Sequence, residues 1–260
     1  MQIGLSSSCF YPELVEESLI KVGESGAKTA EIFINSECET HGEILARLRS
    51  IRESYGINVR SLHPFTSAYE TVMLFSDYDR RTADSLEFYK KYFYAAGELG
   101  AELIVIHGGK CIVPIEREVY AERYARLALL AREYGLFAAH ENVVNNHCQS
   151  PSFMKSVADY VGDDFRMVLD IKQCRRSGVS EFEFIRLLGD RIAQVHLSDL
   201  TDGRDCVAPG EGSYDFARLF TELKSAGYDN SAVIELYRSG FSEFSQLQNS
   251  LLYLNRLSDK

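Results

Sequence analysis

Eight short apolar runs, each followed by a stretch with helical spacing, constrain this chain more than any other feature. The runs lie at 2–6, 29–34, 57–62, 102–106, 136–140, 165–169, 192–197 and 231–234. Between them apolar residues recur every three or four positions. Val15, Leu19 and Val22 follow Pro12, and Ile44, Leu48 and Ile51 lie within 41–55. Leu86, Tyr89, Phe93 and Ala96 mark 80–99, and Tyr120, Tyr124, Leu127 and Ala131 mark 116–134. Further helices are expected at 151–161, 180–188 and 214–226, with a last one carrying Phe244, Leu247, Leu251 and Leu254. Gly26, Gly56, Gly100 and Gly227 are the stop signals. Strands alternating with amphipathic helices imply a parallel sheet covered by helices. Eight such units in 260 residues is the size of a (β/α)8 TIM barrel. The expectation is therefore an α/β chain with a single barrel domain over 1–260. An open doubly wound sheet is the alternative, but no early strand is followed by a GxGxxG turn. The aromatic segment 64–79 has no clear period and reads as a loop over one end of the fold.

Composition excludes several roles. The net charge of −10 opposes sequence-independent attraction to a phosphate backbone, so no nucleic-acid partner is expected. No apolar run reaches the length of a membrane span, and MQIGLSSSCF lacks the basic and apolar regions of a signal peptide. The six cysteines form no CxxC pair and read as reduced thiols, which points to a cytoplasmic protein.

The residues at the strand ends carry the chemistry. Strand two contains Glu31; strands three to eight end in His63, His107, Glu141, Asp170, His196 and Glu235. In a barrel these positions converge on one face. So many ionisable groups need an organising partner, and a divalent cation supplies it. Glu141, Asp170, His196 and Glu235 would present three carboxylates and one imidazole. That oxygen-rich set suits Mn²⁺, Mg²⁺ or Co²⁺ better than a structural zinc. A purely salt-bridged ring is the bland alternative, and three acids with one histidine neutralise each other poorly.

Six short motifs in this order and spacing resemble the xylose isomerase-like TIM barrels, a superfamily of sugar isomerases, ketose 3-epimerases, inosose dehydratases and, more distantly, apurinic-site endonucleases. They are IHGG (106–109), HEN (140–142), VLD (168–170), VHLSD (195–199), PGEG (209–212) and VIEL (233–236), and the resemblance spans the whole chain. It implies that Glu141, Asp170, His196 and Glu235 hold a divalent metal, Mn²⁺ first, with Mg²⁺, Co²⁺ or Zn²⁺ as alternatives. It implies an isomerase or epimerase that moves a proton on a ketose or sugar-like polyol through an enediolate held by the cation. Glu141 and Glu235 would then also be the catalytic acid and base. A dehydratase-like lyase would use the same cation and base; a catalytically silent sugar-binding barrel would use neither.

The chain also departs from its relatives. Where many carry Asp-x-x-His, this sequence reads Asp170-Ile171-Lys172-Gln173. Where the endonucleases need Asp-x-His, it has Arg204 and Cys206, which disfavours a three-zinc cluster. His63, His107, Gln173, Arg204 and Glu31 are the expected substrate contacts, with Glu31 equally able to act as a buried support. His140 should turn away from Glu141 and pack outside the barrel. His147 could reach the site, and Lys172 is a candidate substrate cation, with a solvated loop lysine as the commoner alternative. A small-molecule sugar is the expected partner, and a homo-oligomer is possible through the 65–78 aromatic stretch.

Overall fold

The computed structural model describes residues 1–258. Eight parallel strands close into a barrel. In chain order they are β1 (Gln2–Ser6), β2 (Thr29–Ile34), β3 (Asn58–Pro64), β4 (Leu103–Ile106), β5 (Phe137–Glu141), β6 (Arg166–Asp170) and β7 (Ile192–Leu197). A small antiparallel hairpin, β8 (Asp199–Thr201) and β9 (Arg204–Val207), then interrupts the rhythm before β10 (Ser231–Ile234) completes the barrel. The circular order is β1-β10-β7-β6-β5-β4-β3-β2. All eight barrel strands fall on the apolar runs of the sequence, because strands buried on both faces have little room for polar residues.

The outer helices are α1 (Val15–Glu24), α2 (Gly42–Tyr55), α3 (Ser67–Tyr69), α4 (Asp79–Glu98), α5 (Arg117–Glu133), α6 (Pro151–Val161), α7 (Ile171–Ser177), α8 (Glu181–Leu188), α9 (Phe216–Ser225) and α10 (Phe244–Ser258). Their ends follow local chemistry. Gly56 closes α2 in the left-handed conformation, at φ 62°, which costs a glycine little. Ser150 accepts from the Phe153 amide and Pro151 occupies the first turn of α6. Apolar stripes of these helices meet the outward strand residues in one continuous core. A separate small cluster, Leu103, Val105, Ala139, Val168 and Ala193, fills the lumen below the site. Among the described residues, no helix is long and apolar enough to cross a membrane.

Two local expectations need correction. Residues 64–79 are not a plain loop: α3 runs on into a π-helical turn, Glu70–Leu74, with Glu70, Thr71 and Leu74 buried. The π spacing hides this turn from a search at the α-helical period. Residues 171–177 form the unexpected α7, started by the Asp170 carboxylate, which accepts from the Lys172 and Gln173 amides.

Candidate metal centre

Glu141 and Asp170 end their strands, His196 lies one residue before the end of β7, and Glu235 follows β10 directly. Register levels them: His196 pairs with Asp170 on one side and with Val233 on the other. The four residues each offer a donor atom, and these atoms all lie within 4.8 Å of one another. His196 Nδ1 is 3.6 Å from Glu141, 4.0 Å from Asp170 and 3.4 Å from Glu235. All four residues are buried.

Glu141 Oε2 and His196 Nδ1 are buried with no hydrogen-bond partner, and Asp170 Oδ2 meets only the Lys172 ammonium, at 3.1 Å. Such atoms are costly in a protein interior. Their meeting at one point, from an oxygen-rich donor set, fits a hard divalent cation.

The support for this ring comes from below. Glu31 is fully buried and accepts from Ser6 Oγ (3.0 Å), Ser61 Oγ (2.8 Å) and Gln194 Nε2 (2.7 Å). It also meets His63 Nδ1 at 3.3 Å and His196 Nε2 at 3.0 Å. Burial pushes the Glu31 carboxyl up, but His196 and His63 outweigh it and hold it well below the usual range. The same contact acts on His196. Burial alone would lower its pKa, and the carboxylates of Glu31, Glu235 and Glu141 raise it well above the ordinary value. Glu31 therefore sits beneath the imidazoles with both oxygens engaged, rather than at an open surface.

Asp170 is fixed just as firmly. Its Oδ1 accepts from the Lys172 and Gln173 amides at 2.6 and 3.0 Å. Asn142 accepts from its backbone amide at 2.7 Å and donates to its carbonyl at 3.0 Å, tying β5 to β6. Oδ1 is thus spent on the helix start and Oδ2 is left toward the centre. Burial, with Glu141 and Glu235 close by, raises the Asp170 carboxyl to about 6 despite Lys172.

Lys172 corrects the solvated reading. It is buried, and its Nζ lies 3.1 Å from Asp170 and 2.9 Å from Glu235. Taking an ammonium out of water is costly, and the two carboxylates offset that cost. They raise its pKa well above normal against the opposing effect of burial. Glu235 shows the converse: burial opposes ionisation, but Lys172 and His196 hold its pKa well below the usual carboxylate range.

A second cluster adjoins the first. His63 Nε2 and His107 Nε2 are 2.9 Å apart, and both approach Glu141 Oε2, at 3.8 and 3.6 Å. His63, His107 and Glu141 form a further group able to hold an ion, and so do Glu31, His63 and His196. Glu70, supplied by the π turn, backs His107 at 3.7 Å. It also accepts from the Gly108 amide (2.6 Å), Thr66 (2.8 Å) and Tyr89 (3.0 Å). Burial would lower His107, but Glu70, Glu141 and Glu235 raise it to about 9. Sequence reasoning missed Glu70 and Asn142. The HEN motif contained a signal for Asn142; a lone glutamate in an aromatic stretch offered none for Glu70.

The remaining expected residues are placed as follows. Gln173 is buried, and its amide oxygen accepts from the Val144 amide at 3.1 Å. Arg204 is exposed on β9 and donates to the Ser239 carbonyl. His147 bonds the Val113 carbonyl at 3.1 Å and stacks on Phe153. His140 faces outward: its Nε2 meets Tyr120 Oη at 2.7 Å, and its ring stacks on Tyr124. Asp199 explains why VHLSD and PGEG occur together. Its carboxylate accepts from the amides of Leu200, Gly210, Gly212 and Tyr214 at 2.8 to 3.1 Å. A Cβ on Gly212 would fall 2.1 Å from the Leu200 carbonyl oxygen.

A cavity of about 460 Å³ opens beside Lys172 and Glu235.

With this geometry in hand, comparison with known proteins is informative. The model of the xylose isomerase-like TIM barrel matches residues 20–257. The uncharacterised protein MJ1311 of Methanocaldococcus jannaschii is 25% identical over 251 residues, covering 90% of this chain and 83% of its own length. Among solved structures, a D-tagatose 3-epimerase-like protein superposes with a TM-score of 0.80 at 22% identity, covering 100% of this chain and 97% of its own. A D-psicose 3-epimerase crystallised in the presence of D-fructose gives 0.82 at 16% identity, with complete coverage of both chains. At these identities the structural likeness speaks to the fold alone, while the family match spans most of the sequence. The chain belongs to the xylose isomerase-like TIM barrel family.

Proposed function

We propose that this protein is a divalent-metal-dependent isomerase or epimerase that transfers a proton on a ketose or a sugar-like polyol, with Mn²⁺ as the first choice of metal. The observation that carries this reading is the convergence of Glu141, Asp170, His196 and Glu235, with Glu141 Oε2 and His196 Nδ1 unpartnered, beside an open cavity. The four residues would hold the cation. When bound, it would supply Lewis acidity, making a carbon-bound proton next to a carbonyl easier to remove. Glu141 and Glu235 lie at the two ends of the arc β5-β6-β7-β10, so they flank the centre and are the carboxylates to take and return that proton. Lys172 and His196 keep Glu235 ionised, the form a base needs. Glu31 orients His196 through Nε2 and so presents Nδ1 to the centre. Structural neighbours named as a D-tagatose 3-epimerase-like protein and a D-psicose 3-epimerase support a ketose as the first substrate class to test.

The test is solvent-deuterium incorporation. D-Fructose, D-psicose and D-tagatose are incubated with the Mn²⁺-loaded protein in deuterated water and followed by NMR and mass spectrometry. Metal-dependent exchange next to the carbonyl, lost in Glu141→Gln and Glu235→Gln, is the expected result. Loss of water from the substrate would move the assignment to a lyase. No exchange on any ketose with any divalent metal would refute proton transfer on this class.

The histidine pair supports a second reading. His63 Nδ1 meets the buried Glu31 carboxylate at 3.3 Å and His107 Nδ1 faces the buried Glu70 carboxylate at 3.7 Å, while both Nε2 atoms approach Glu141. That is how metal-binding imidazoles are held. A two-cation centre suited to hydrolysis would follow. Elemental analysis decides between them: one Mn, Co or Mg per chain favours proton transfer, and two zincs favour the second reading.

A further inference from the structure

The wall of the cavity facing away from the ligand ring is built from aromatic side chains. Tyr11 follows β1, Phe33 lies on β2, Phe65 follows β3, and Leu236 and Tyr237 follow β10. In the closed barrel these elements are neighbours, β10-β1-β2-β3. The donor residues occupy the complementary arc, β5-β6-β7-β10. The two arcs meet at β10, where Glu235 and Leu236 are consecutive. The mouth is therefore divided into a charged sector and a mostly apolar one, in which His63 on β3 is the exception, its ring centre 4.8 Å from that of Phe33.

The apolar sector is open to a ligand. Tyr11, Phe65 and Tyr237 line one cavity and are 58%, 48% and 49% exposed; exposed apolar surface gathered in this way is characteristic of a ligand-binding groove. Tyr237 is held in place, with its hydroxyl accepting from Arg176 at 2.7 Å and Lys172 lying 5.0 Å from its ring centre. Most polar groups in this wall already have partners, Asn35 Oδ1 and Tyr11 Oη being the exceptions. Lys172 is bound to Asp170 and Glu235, Ser8 Oγ meets Ser6 Oγ at 2.9 Å, and Asn35 Nδ2 donates to the Phe33 carbonyl at 3.4 Å. A sugar hydroxyl pressed against this wall would lose its water and find few partners. An apolar group would lose nothing and would cover the rings.

From this division we infer that the preferred substrate is amphipathic: an α-hydroxyketone or polyol head carrying an aromatic or alkyl substituent, bound in preference to a free, fully hydroxylated ketose. The head faces Glu141, Asp170, His196 and Glu235; the substituent fills the space between Tyr11, Phe33, Phe65 and Tyr237. The inference rests on the proton-transfer reading for the chemistry of the head, and on the pocket alone for the tail.

Isothermal titration calorimetry of the Mn²⁺-loaded full chain tests it with three probes. Hydroxyacetone and 2-hydroxyacetophenone share the same head and differ by methyl against phenyl; D-fructose is the fully hydroxylated comparison. The phenyl compound should bind at least about tenfold more tightly than hydroxyacetone, the lower end of what an apolar pocket gains from one added methylene. It should also bind more tightly than D-fructose. The double variant Tyr11→Ala, Phe65→Ala should remove that preference. Both rings are about half exposed, so their loss leaves the core intact. A preference for D-fructose overturns the inference, as does a phenyl preference that survives in the double variant or a failure of 2-hydroxyacetophenone to bind at millimolar levels. Deuterium exchange on the same samples separates the two readings. Phenyl preference without exchange removes proton transfer and retains the divided pocket; exchange on D-fructose without phenyl preference does the reverse.

Discussion

Replacing Glu31 by glutamine probes the support of the ring without touching any of its four donors. The substitution keeps shape and removes one negative charge from a residue that meets five side chains at 2.7 to 3.3 Å. The new amide nitrogen can take the Oε1 position, where Ser6 and His63 can turn to accept. The amide oxygen can keep Ser61, Gln194 and His196. What is lost is the charge assistance to two imidazoles. Hydrogen bonds to charged groups contribute about 1 kcal/mol more than neutral ones, so about 2 kcal/mol of stability should disappear in the metal-free protein. For a chain of this size that is a fall in Tm of roughly 4–8 °C. Metal affinity should drop by about ten- to a hundredfold, the usual effect of removing a carboxylate behind a ligating histidine. Protons compete for the same Nδ1 and would also be held less tightly, so the loss should be greatest near pH 8 and smaller near pH 6. Mn²⁺ titration of E31Q and wild type, with free Mn²⁺ read by electron paramagnetic resonance at both pH values, measures this. A folded E31Q that binds Mn²⁺ at pH 8 as tightly as wild type would refute the role given to Glu31.

Other predictions concern charge. Lys172→Met leaves Asp170 and Glu235 without their shared ammonium, and unpairing buried charges costs about 3–5 kcal/mol. Melting curves in chelator should show that loss, and Mn²⁺ should restore more of the melting temperature in the variant than in wild type. Proton release follows from the pKa directions. In the metal-free protein His196 is raised well above its ordinary value and Asp170 is raised to about 6. For both, the folded pKa exceeds the unfolded one. The stability each lends is therefore complete below the unfolded value and is lost as pH rises through the folded value. Binding a cation at Nδ1 and Oδ2 removes these protons, so Mn²⁺ affinity should rise with pH. About one proton should be released at pH 7, from His196, and a larger number below pH 6, as Asp170 joins. Calorimetry in buffers of different ionisation enthalpy counts them; a flat profile from pH 5.5 to 8 would contradict the proposed ligation.

Much of this molecule is legible in the chain alone, for a local reason. Strands covered on both faces must be apolar throughout, and helices packed on them must be apolar along one stripe, so the alternation and the number of units survive in the sequence. A barrel places the ends of its parallel strands together, so Glu141, Asp170, His196 and Glu235 could be singled out before any coordinates. The tertiary structure decided what surrounds them. Glu31 meets His196 across 165 positions, and Lys172 reaches Glu235 across 63. Neither spacing leaves a periodic trace. Whether a lysine is solvated or buried depends on the carboxylates the fold brings to it, and the sequence around Lys172 is silent about both. Glu70 was hidden because a π turn follows neither the α-helical nor the strand period. Sequence fixes periodicity, while burial, pairing and pKa belong to neighbours that only the closed barrel assembles.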